Sequence, residues 1–200
     1  MKKLALTLAI LFVGGFLFAQ EDVDKMETLI KSYPKKIRGF IGINSCVTTL
    51  AGETAYMQGF TASGILNDHY LLGFYNYNLE NSMYSNNDNY IGAEMNYTHH
   101  GILFGYILFP KKAIHFSTSL MAGKGDLDIY DNIADEWIED KVIFNLTPNI
   151  EAEFNVFRFL RIGIGANYQF AFDVDRFDGY DDKDFSSPGG YVSLKFGWFN

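Results

Sequence analysis

The chain has 200 residues, of which 48% are hydrophobic and 17% aromatic, and it carries a formal net charge of −8. An acidic surface repels phosphate backbones, which excludes nucleic acid as a partner. The single cysteine, Cys46, excludes an intrachain disulfide, and the length favours one domain over two.

The start of the chain has the pattern of a secretory signal peptide. Lys2 and Lys3 form a basic start, residues 4–18 are predominantly apolar, and Ala19 is a small residue suited to cleavage. A membrane anchor is the alternative, but the apolar stretch is short for a span and acidic residues follow it at once. We therefore predict a cleaved signal peptide over residues 1–19.

Residues 20–36 form a charged leader ahead of the first predicted strand. Met26, Leu29, Ile30 and Tyr33 are spaced to form one face of a short helix that ends before Pro34. A flexible periplasmic leader fits the same composition, and the sequence leaves both interpretations open.

From Ile37 onward, apolar and polar residues alternate with a period of two, which predicts β-strands. The clearest run is 160–172, where every second residue from Leu160 to Phe172 is apolar. The predicted strands cover residues 37–49, 55–66, 69–79, 93–109, 113–123, 141–156, 159–172 and 188–199.

Two kinds of irregularity are expected within these strands. The first three strands alternate less cleanly, which predicts β-bulges near Gly39, Gly42, Gly59 and Gly64. Pro148 lies inside a predicted strand, where it donates no hydrogen bond to a ladder, so we expect it at a rim or a bulge.

Strand length and loop length favour a membrane barrel over a soluble sandwich. The clearest predicted strands have roughly 10 to 13 residues, whereas soluble strands average about 5 to 6 and membrane strands need about 9 to 11. Short connections at 67–69, 110–112 and 157–159 alternate with long polar ones at 80–92, 124–140 and 173–187. We therefore predict an all-β fold, an eight-stranded antiparallel transmembrane β-barrel over residues 37–200, with its apolar face toward lipid.

Aromatic residues lie near the predicted strand ends, where a membrane barrel has its interfacial girdles. They are Tyr56, Phe109, Phe157, Phe159, Phe172, Trp198 and Phe199. A soluble barrel would instead use aromatic rings to fill its interior.

Several stretches also carry a family resemblance. They are Pro110-Lys111-Lys112 with residues 114–117, residues 123–125, Pro148 with Glu151, Glu153 and Asn155, Arg161 to Tyr168, and residues 194–199. Over most of residues 37–199 the chain resembles the small outer-membrane barrels of the OmpA/OmpX type, and more narrowly an outer-membrane β-barrel family common in Bacteroidetes. The resemblance implies the outer membrane of a Gram-negative cell and attaches no activity. Phe199 is similar to the terminal aromatic residue that the barrel-assembly machinery recognises, which makes that machinery the implied partner during insertion.

Charged residues on the polar face of the strands are predicted to point into the barrel. They are His115, Glu151, Glu153, Arg161 and Lys195. The interior of an eight-stranded barrel is narrow, and buried charges need partners. We therefore predict that Arg161 and Lys195 pair with Glu151 and Glu153 and plug the lumen; a proton or ion path is the alternative.

The segment His115-Phe116-Ser117 offers a second interpretation. His115 and Ser117 share one strand face, where an imidazole base could activate a hydroxyl. The stretch is similar to the His-x-Ser element of outer-membrane lipid A deacylases. However, no acidic residue shares their strand to orient the histidine, so we retain a lipid hydrolase as an alternative and predict no catalytic residue.

Acidic residues concentrate in two predicted external loops. The first holds Asp126, Asp128 and Asp131, and the second holds Asp173, Asp175 and Asp178. The second departs from the calcium-loop spacing and lacks the matching glutamate, so we predict no specific metal site. A solvated surface that bridges lipopolysaccharide phosphates through divalent cations is the expected role.

These patterns together favour a structural or interaction protein of the outer membrane, without a cofactor. Outer-membrane lipid and lipopolysaccharide are the expected partners, and we expect a monomer. A small-solute channel and a lipid-modifying enzyme remain the alternatives.

Overall fold

The computed structural model describes residues 36–85, 91–131, 136–174 and 179–199, with backbone alone for 131 and 136–141. The predicted signal peptide, residues 1–19, and residues 20–35 of the predicted leader lie outside the described residues. The same holds for Asp175, Asp178 and the side chain of Asp131.

The described residues form nine β-strands, of which eight are long. They are β1 (Ile37–Leu50), β2 (Glu53–Leu66), β3 (Tyr70–Leu79), β4 (Met83–Tyr84), β5 (Glu94–Leu108), β6 (Ile114–Asp131), β7 (Glu136–Phe157), β8 (Leu160–Phe172) and β9 (Ser187–Trp198). The two-residue β4 lies in a segment predicted as a loop. No helix in the described part of the chain is long and apolar enough to cross a bilayer.

Hydrogen bonds close the eight long strands into a barrel. The sheet order is β3-β2-β1-β9-β8-β7-β6-β5, and β3 pairs in turn with β5. The pairings are antiparallel, and β1 meets β9 with Gly39 opposite Trp198. The predicted eight-stranded antiparallel barrel is therefore confirmed.

The apolar face of the strands points outward, as predicted. Ile164 is 58% exposed and Trp198 is 80% exposed, whereas Arg161 and Glu153 are 3% and 1% exposed. A continuous apolar exterior is unfavourable in water and stable in hydrocarbon, where the closed ladder also satisfies the backbone. The barrel thus has the surface of a membrane-spanning protein.

The hairpin of β6 and β7 is longer than the sequence predicted. β6 continues to Asp131 and β7 begins at Glu136, although a loop was predicted over 124–140. Asp126 and Asp128 are therefore strand residues that pair with β7, and their placement in a loop is corrected.

The physical reason is an inversion of polarity along β6 near Gly123. On the first part of the strand His115 is buried and Phe116 is exposed, whereas on the later part Leu127 is buried and Asp126 faces outward. Once a strand leaves the bilayer its outer face meets water, so the polar residues move to that face. Apolar and polar residues still alternate with a period of two, but the apolar residues now face inward. This change marks the membrane boundary and not the end of the strand.

The bulges expected near Gly39, Gly42, Gly59 and Gly64 are absent, because β1 and β2 pair in one register over their full length. Gly42 and Gly59 make room inside the barrel, whereas Gly39 and Gly64 lie on its outward face. At Gly59 an added Cβ would lie 2.7 Å from the ring of Tyr77, which packs against the bare backbone.

Register shifts occur instead between Ile129 and Tyr130 and between Asn155 and Phe157. The ladder between β7 and β8 omits residues 147 and 148. Pro148 therefore lies at an interruption of the pairing, in agreement with the expectation for a residue without an N–H.

Most of the predicted girdle residues are exposed, including Tyr56, Phe109, Phe157 and Phe159. Phe199 is the exception, since it is only 6% exposed. It follows β9 at an inward position, so its ring points into the end of the barrel and not into the girdle.

Candidate functional site

Five side chains meet inside the barrel near its short turns, the end that we call the periplasmic end. They are His115 on β6, Glu151 and Glu153 on β7, Arg161 on β8 and Lys195 on β9, and we call them the ionic plug. The strand register brings them together, because Glu153 lies opposite His115 and Arg161 lies opposite Lys195. All five are buried.

Lys195 bridges the two carboxylates of β7. Its Nζ donates to Glu151 Oε2 at 2.5 Å and to Glu153 Oε1 at 3.0 Å. The lysine stem passes over Gly42 on β1, where an added Cβ would lie 3.3 Å from Lys195 Cγ. The absent side chain of Gly42 therefore gives the lysine its path.

Glu153 also accepts from two other strands. Arg161 Nη1 donates to Glu153 Oε2 at 3.3 Å, and His115 Nε2 lies 3.2 Å from the same oxygen. Asn155 Nδ2 donates to His115 Nδ1 at 3.4 Å, which leaves Nε2 of a neutral ring as the protonated nitrogen that donates to Glu153.

Glu151 accepts from two hydroxyls besides Lys195. Ser117 Oγ donates to its Oε2 at 3.4 Å, and Ser193 Oγ donates to its Oε1. An added Cβ at Gly163 on β8 would overlap the carboxylate of Glu151, so only glycine leaves it room to reach Ser193. Ser193 and Gly163 were not predicted as site residues.

The ionic plug balances its formal charges, with two carboxylates against one lysine and one arginine. Each carboxylate has at least three donors within 3.5 Å. A buried charge is stable only when it is paired and its remaining lone pairs are satisfied, and this network meets both conditions.

Ser117 and His115 do not form a nucleophile and base pair. Ser117 donates to Glu151, and His115 bonds to Glu153 and Asn155. Glu153 gives His115 a carboxylate from the neighbouring strand, which the sequence did not reveal. His115 and Ser117 are nonetheless buried inside the barrel, at 0% and 6% exposure respectively, away from its lipid-facing surface.

The acidic residues do not converge on one point. Asp126 and Asp128 lie on β6, where Asp126 Oδ2 is 3.6 Å from His100 Nδ1. Asp173 follows β8 with a φ of 66°. Among the described residues, no group of three or more His, Cys, Asp or Glu has an arrangement that could hold a metal ion.

The other end of the lumen, the external end, is filled by apolar side chains. Leu127, Ile129, Ile143, Val174 and Phe185 are each at most 1% exposed, and we call them the external cap. They come from β6, β7 and the segment between β8 and β9. The sequence analysis did not find this cap, because residues 124–140 and 173–187, which supply four of its five members, were predicted as loops.

Comparisons with known proteins agree with this architecture. Neisserial surface protein A has a similar structure, with a TM-score of 0.53 at 8% identity over 82% of this chain and 97% of that one. The N-terminal β-barrel domain of Pseudomonas aeruginosa OprF gives 0.53 at 10% identity over 82% and 100%. Ail of Yersinia pestis gives 0.50 at 10% identity over 81% and 98%. No protein-family model matches the sequence, and no curated protein matches it.

At these identities the likeness establishes the fold. The chain has the closed architecture of outer-membrane β-barrels, and its exposed apolar belt fits the outer membrane.

Proposed function

We propose that the protein is an outer-membrane β-barrel with a plugged lumen and a structural or interaction role in the cell envelope. The observation that carries the proposal is the reach of Lys195 from β9 to both carboxylates of β7, inside the barrel. Eight strands enclose an interior that side chains nearly fill. The ionic plug is therefore expected to leave no water-filled path at its level.

The external cap supports the same proposal from the opposite end. A solute that entered from outside would first have to displace Leu127, Ile129 and Phe185, which are buried against one another and their neighbours. Displacing packed apolar side chains costs about 1.5 to 3 kcal/mol for each one exposed to water.

Conductance in planar bilayers tests the plugged lumen. Purified protein is expected to give no discrete current steps, while a general porin in the same membrane conducts. Steady steps from the wild-type barrel would overturn the plug and favour the small-solute channel. Lipid A mass spectra from cells with and without the protein should be identical, and altered acylation would instead favour the lipid-modifying alternative.

The interaction role rests on the part of the β6–β7 hairpin that extends beyond the exposed apolar band of the barrel. β8 pairs with β7 only from Phe144 onward, so residues 136–143 of β7 have no β8 partner among the described residues. A strand edge of this kind can add a strand from another protein, and it is a surface on which partners dock.

Lipopolysaccharide is the partner that the outer face of this hairpin fits best. Asp126 and Asp128 face outward on β6, beyond the apolar part of the strand. At this level carboxylates would meet anionic lipid phosphates, and divalent cations would bridge the two. We expect magnesium-dependent binding of lipopolysaccharide that weakens in Asp126→Asn with Asp128→Asn. Binding that persists unchanged in the double variant or in EDTA would exclude this bridge.

Insertion by the barrel-assembly machinery completes the proposal. In the folded barrel Phe199 is buried against Phe40, with ring centroids 6.0 Å apart. Recognition of the terminal aromatic residue would therefore precede folding, while β9 is still unpaired.

A further inference from the structure

Two concavities meet at Arg158 in the turn between β7 and β8. The first is a groove of about 990 Å³ on the outer wall, where small residues such as Gly39 and Gly64 lie between the larger Phe74 and Trp198. The second is a cavity of about 620 Å³ at the periplasmic mouth of the barrel, which we call the basic mouth. Arg158 lines both.

The basic mouth carries an excess of positive charge. Its cationic lining residues are Lys36, Arg38, Lys111, Arg158 and Arg161. Asp68 is the acidic residue in the same lining, and it is shared by Arg38 at 2.8 Å and Lys36 at 3.5 Å. Even with the ionic plug included, six cations face three carboxylates among the described residues, in a chain whose net charge is −8.

Among the described residues, these cations are incompletely paired. Arg161 is 3% exposed, yet its Nε has no hydrogen-bond partner among the described residues. Lys111 and Arg158 form no ion pair with another described residue. A buried guanidinium N–H without an acceptor is costly, so an anion in the basic mouth would satisfy it.

The groove determines what kind of anion fits. It lies on the face of the barrel that meets hydrocarbon, between Phe74 at 66% exposure and Trp198 at 80% exposure. Val156 and Phe157, which line the basic mouth, are also exposed to lipid. A ligand that satisfies both concavities therefore has an anionic head at the mouth and an apolar chain along the wall.

We propose that this groove and the basic mouth bind one glycerophospholipid with a net anionic headgroup from the periplasmic leaflet. Arg158, at the junction, holds the phosphate together with Lys111 and Arg161, since arginine and lysine are the residues that recognise phosphate oxygens. The groove holds an acyl chain against Gly39, Gly64 and Trp198. The site shares Arg161 with the ionic plug, and it involves neither the external cap nor the external hairpin.

Fluorescence of Trp198 tests the proposal directly, because this residue lines the groove. The chain has two tryptophans, so Trp137→Phe leaves Trp198 as the single reporter. The protein is reconstituted in phosphatidylcholine vesicles that contain equal small fractions of either dibrominated phosphatidylglycerol or dibrominated phosphatidylcholine. Stronger quenching by the brominated phosphatidylglycerol is the expected result.

Two variants test the binding of the lipid headgroup and the binding of the acyl chain separately. Arg158→Gln with Lys111→Gln should reduce the preference for phosphatidylglycerol by about fivefold in relative affinity for each cation removed. Gly64→Leu fills the groove without a backbone clash, since an added Cβ there lies 3.7 Å from the nearest atom. It should lower the quenching of Trp198 by both brominated lipids.

Matched controls lie at the external end of the barrel. Lys183→Gln removes an exposed cation, and Gly190→Leu adds a side chain where nothing lies within 4 Å of a Cβ. Both should leave the lipid preference unchanged, and folded electrophoretic mobility should be retained in every variant.

Three outcomes would overturn the proposal. Quenching could be the same for both brominated lipids. The preference could survive Arg158→Gln with Lys111→Gln in a folded barrel. It could also disappear with 10 mM inorganic phosphate but not with chloride at the same ionic strength, which would assign the basic mouth to a free anion.

Discussion

The two ends of the lumen are filled by opposite chemistry. At the periplasmic end the ionic plug joins four strands through charged hydrogen bonds. At the external end rings and aliphatic side chains pack together, and His99 stacks between Tyr77 and Tyr97 with ring centroids 5.2 and 5.6 Å apart. Both groups of side chains are buried, but only the first depends on each member keeping its partner.

The carboxylates of the ionic plug are more fully paired than the neutral polar groups elsewhere in the lumen. Among the described residues, the buried atoms without a hydrogen-bond partner include His99 Nδ1, Tyr75 Oη and Thr147 Oγ1 outside the ionic plug and Arg161 Nε within it. No carboxylate oxygen of Glu151 or Glu153 is among them. A neutral group left unpaired costs about 1 to 3 kcal/mol and an unpaired buried charge costs more, so the pairing of the two carboxylates matters most. Substitutions in the ionic plug should therefore be more destabilising than those in the external half.

Lys195→Ala should have the largest effect. It leaves Glu151 and Glu153 buried near each other with Arg161 as the remaining cation, so we expect a loss of about 3 to 5 kcal/mol in the free energy of unfolding. Urea unfolding in lipid vesicles, followed by tryptophan fluorescence and electrophoretic mobility, measures it. Lys183→Ala is the control, since that side chain is 91% exposed and should change nothing measurable.

Arg161→Ala should follow with a loss of about 3 kcal/mol. The guanidinium bonds to Glu153, and its Cζ lies 3.9 Å from the centre of the Phe199 ring. Both contacts vanish in alanine, although Lys195 still neutralises part of the charge. A loss below about 0.5 kcal/mol in the same assay would show that water, and not Glu153, satisfies Arg161.

Gly163→Ala tests the space beneath the carboxylate of Glu151. The added Cβ would overlap that carboxylate, so we expect a loss of about 1 to 3 kcal/mol from overpacking. In a Glu151→Ala background the same change should cost much less. Equal costs in both backgrounds would contradict the assigned contact, and Gly190→Ala, at an open position, serves as the control.

The inward and outward faces of the strands could be predicted, because a period of two determines which residues lie on the same face. Ile162 and Ile164 fell on one face and Arg161 on the other, and the length of the run then favoured lipid outside. The point where the barrel leaves the bilayer was not predictable in this way. Beyond Gly123 the polarity of β6 reverses, and a charged segment with Asp126 and Asp128 has the composition of a loop.

The candidate site was only partly predictable for a related reason. Charged residues on inward positions can be found from the alternation, and Ser193 lies two residues before Lys195 on the same face. The close approach of other strands' side chains to Gly42 and Gly163 depends on the register, which brings Lys195 and Glu151 to these positions. Position along a single strand carries no information on such neighbours.

Replacing a histidine by phenylalanine in each half of the lumen has the smallest expected effect and compares the two halves most directly. His99→Phe keeps the ring between Tyr77 and Tyr97 and removes a buried nitrogen without a partner, so the free energy of unfolding should change by less than about 1 kcal/mol or rise. His115→Phe removes a donor to Glu153 and should cost about 1 to 3 kcal/mol. Urea unfolding of the two variants beside the wild type measures the difference. If His99→Phe proves the more destabilising, the external half holds a hydrogen bond to water or a ligand at Nδ1, and the division of the lumen into an ionic and a neutral half is wrong.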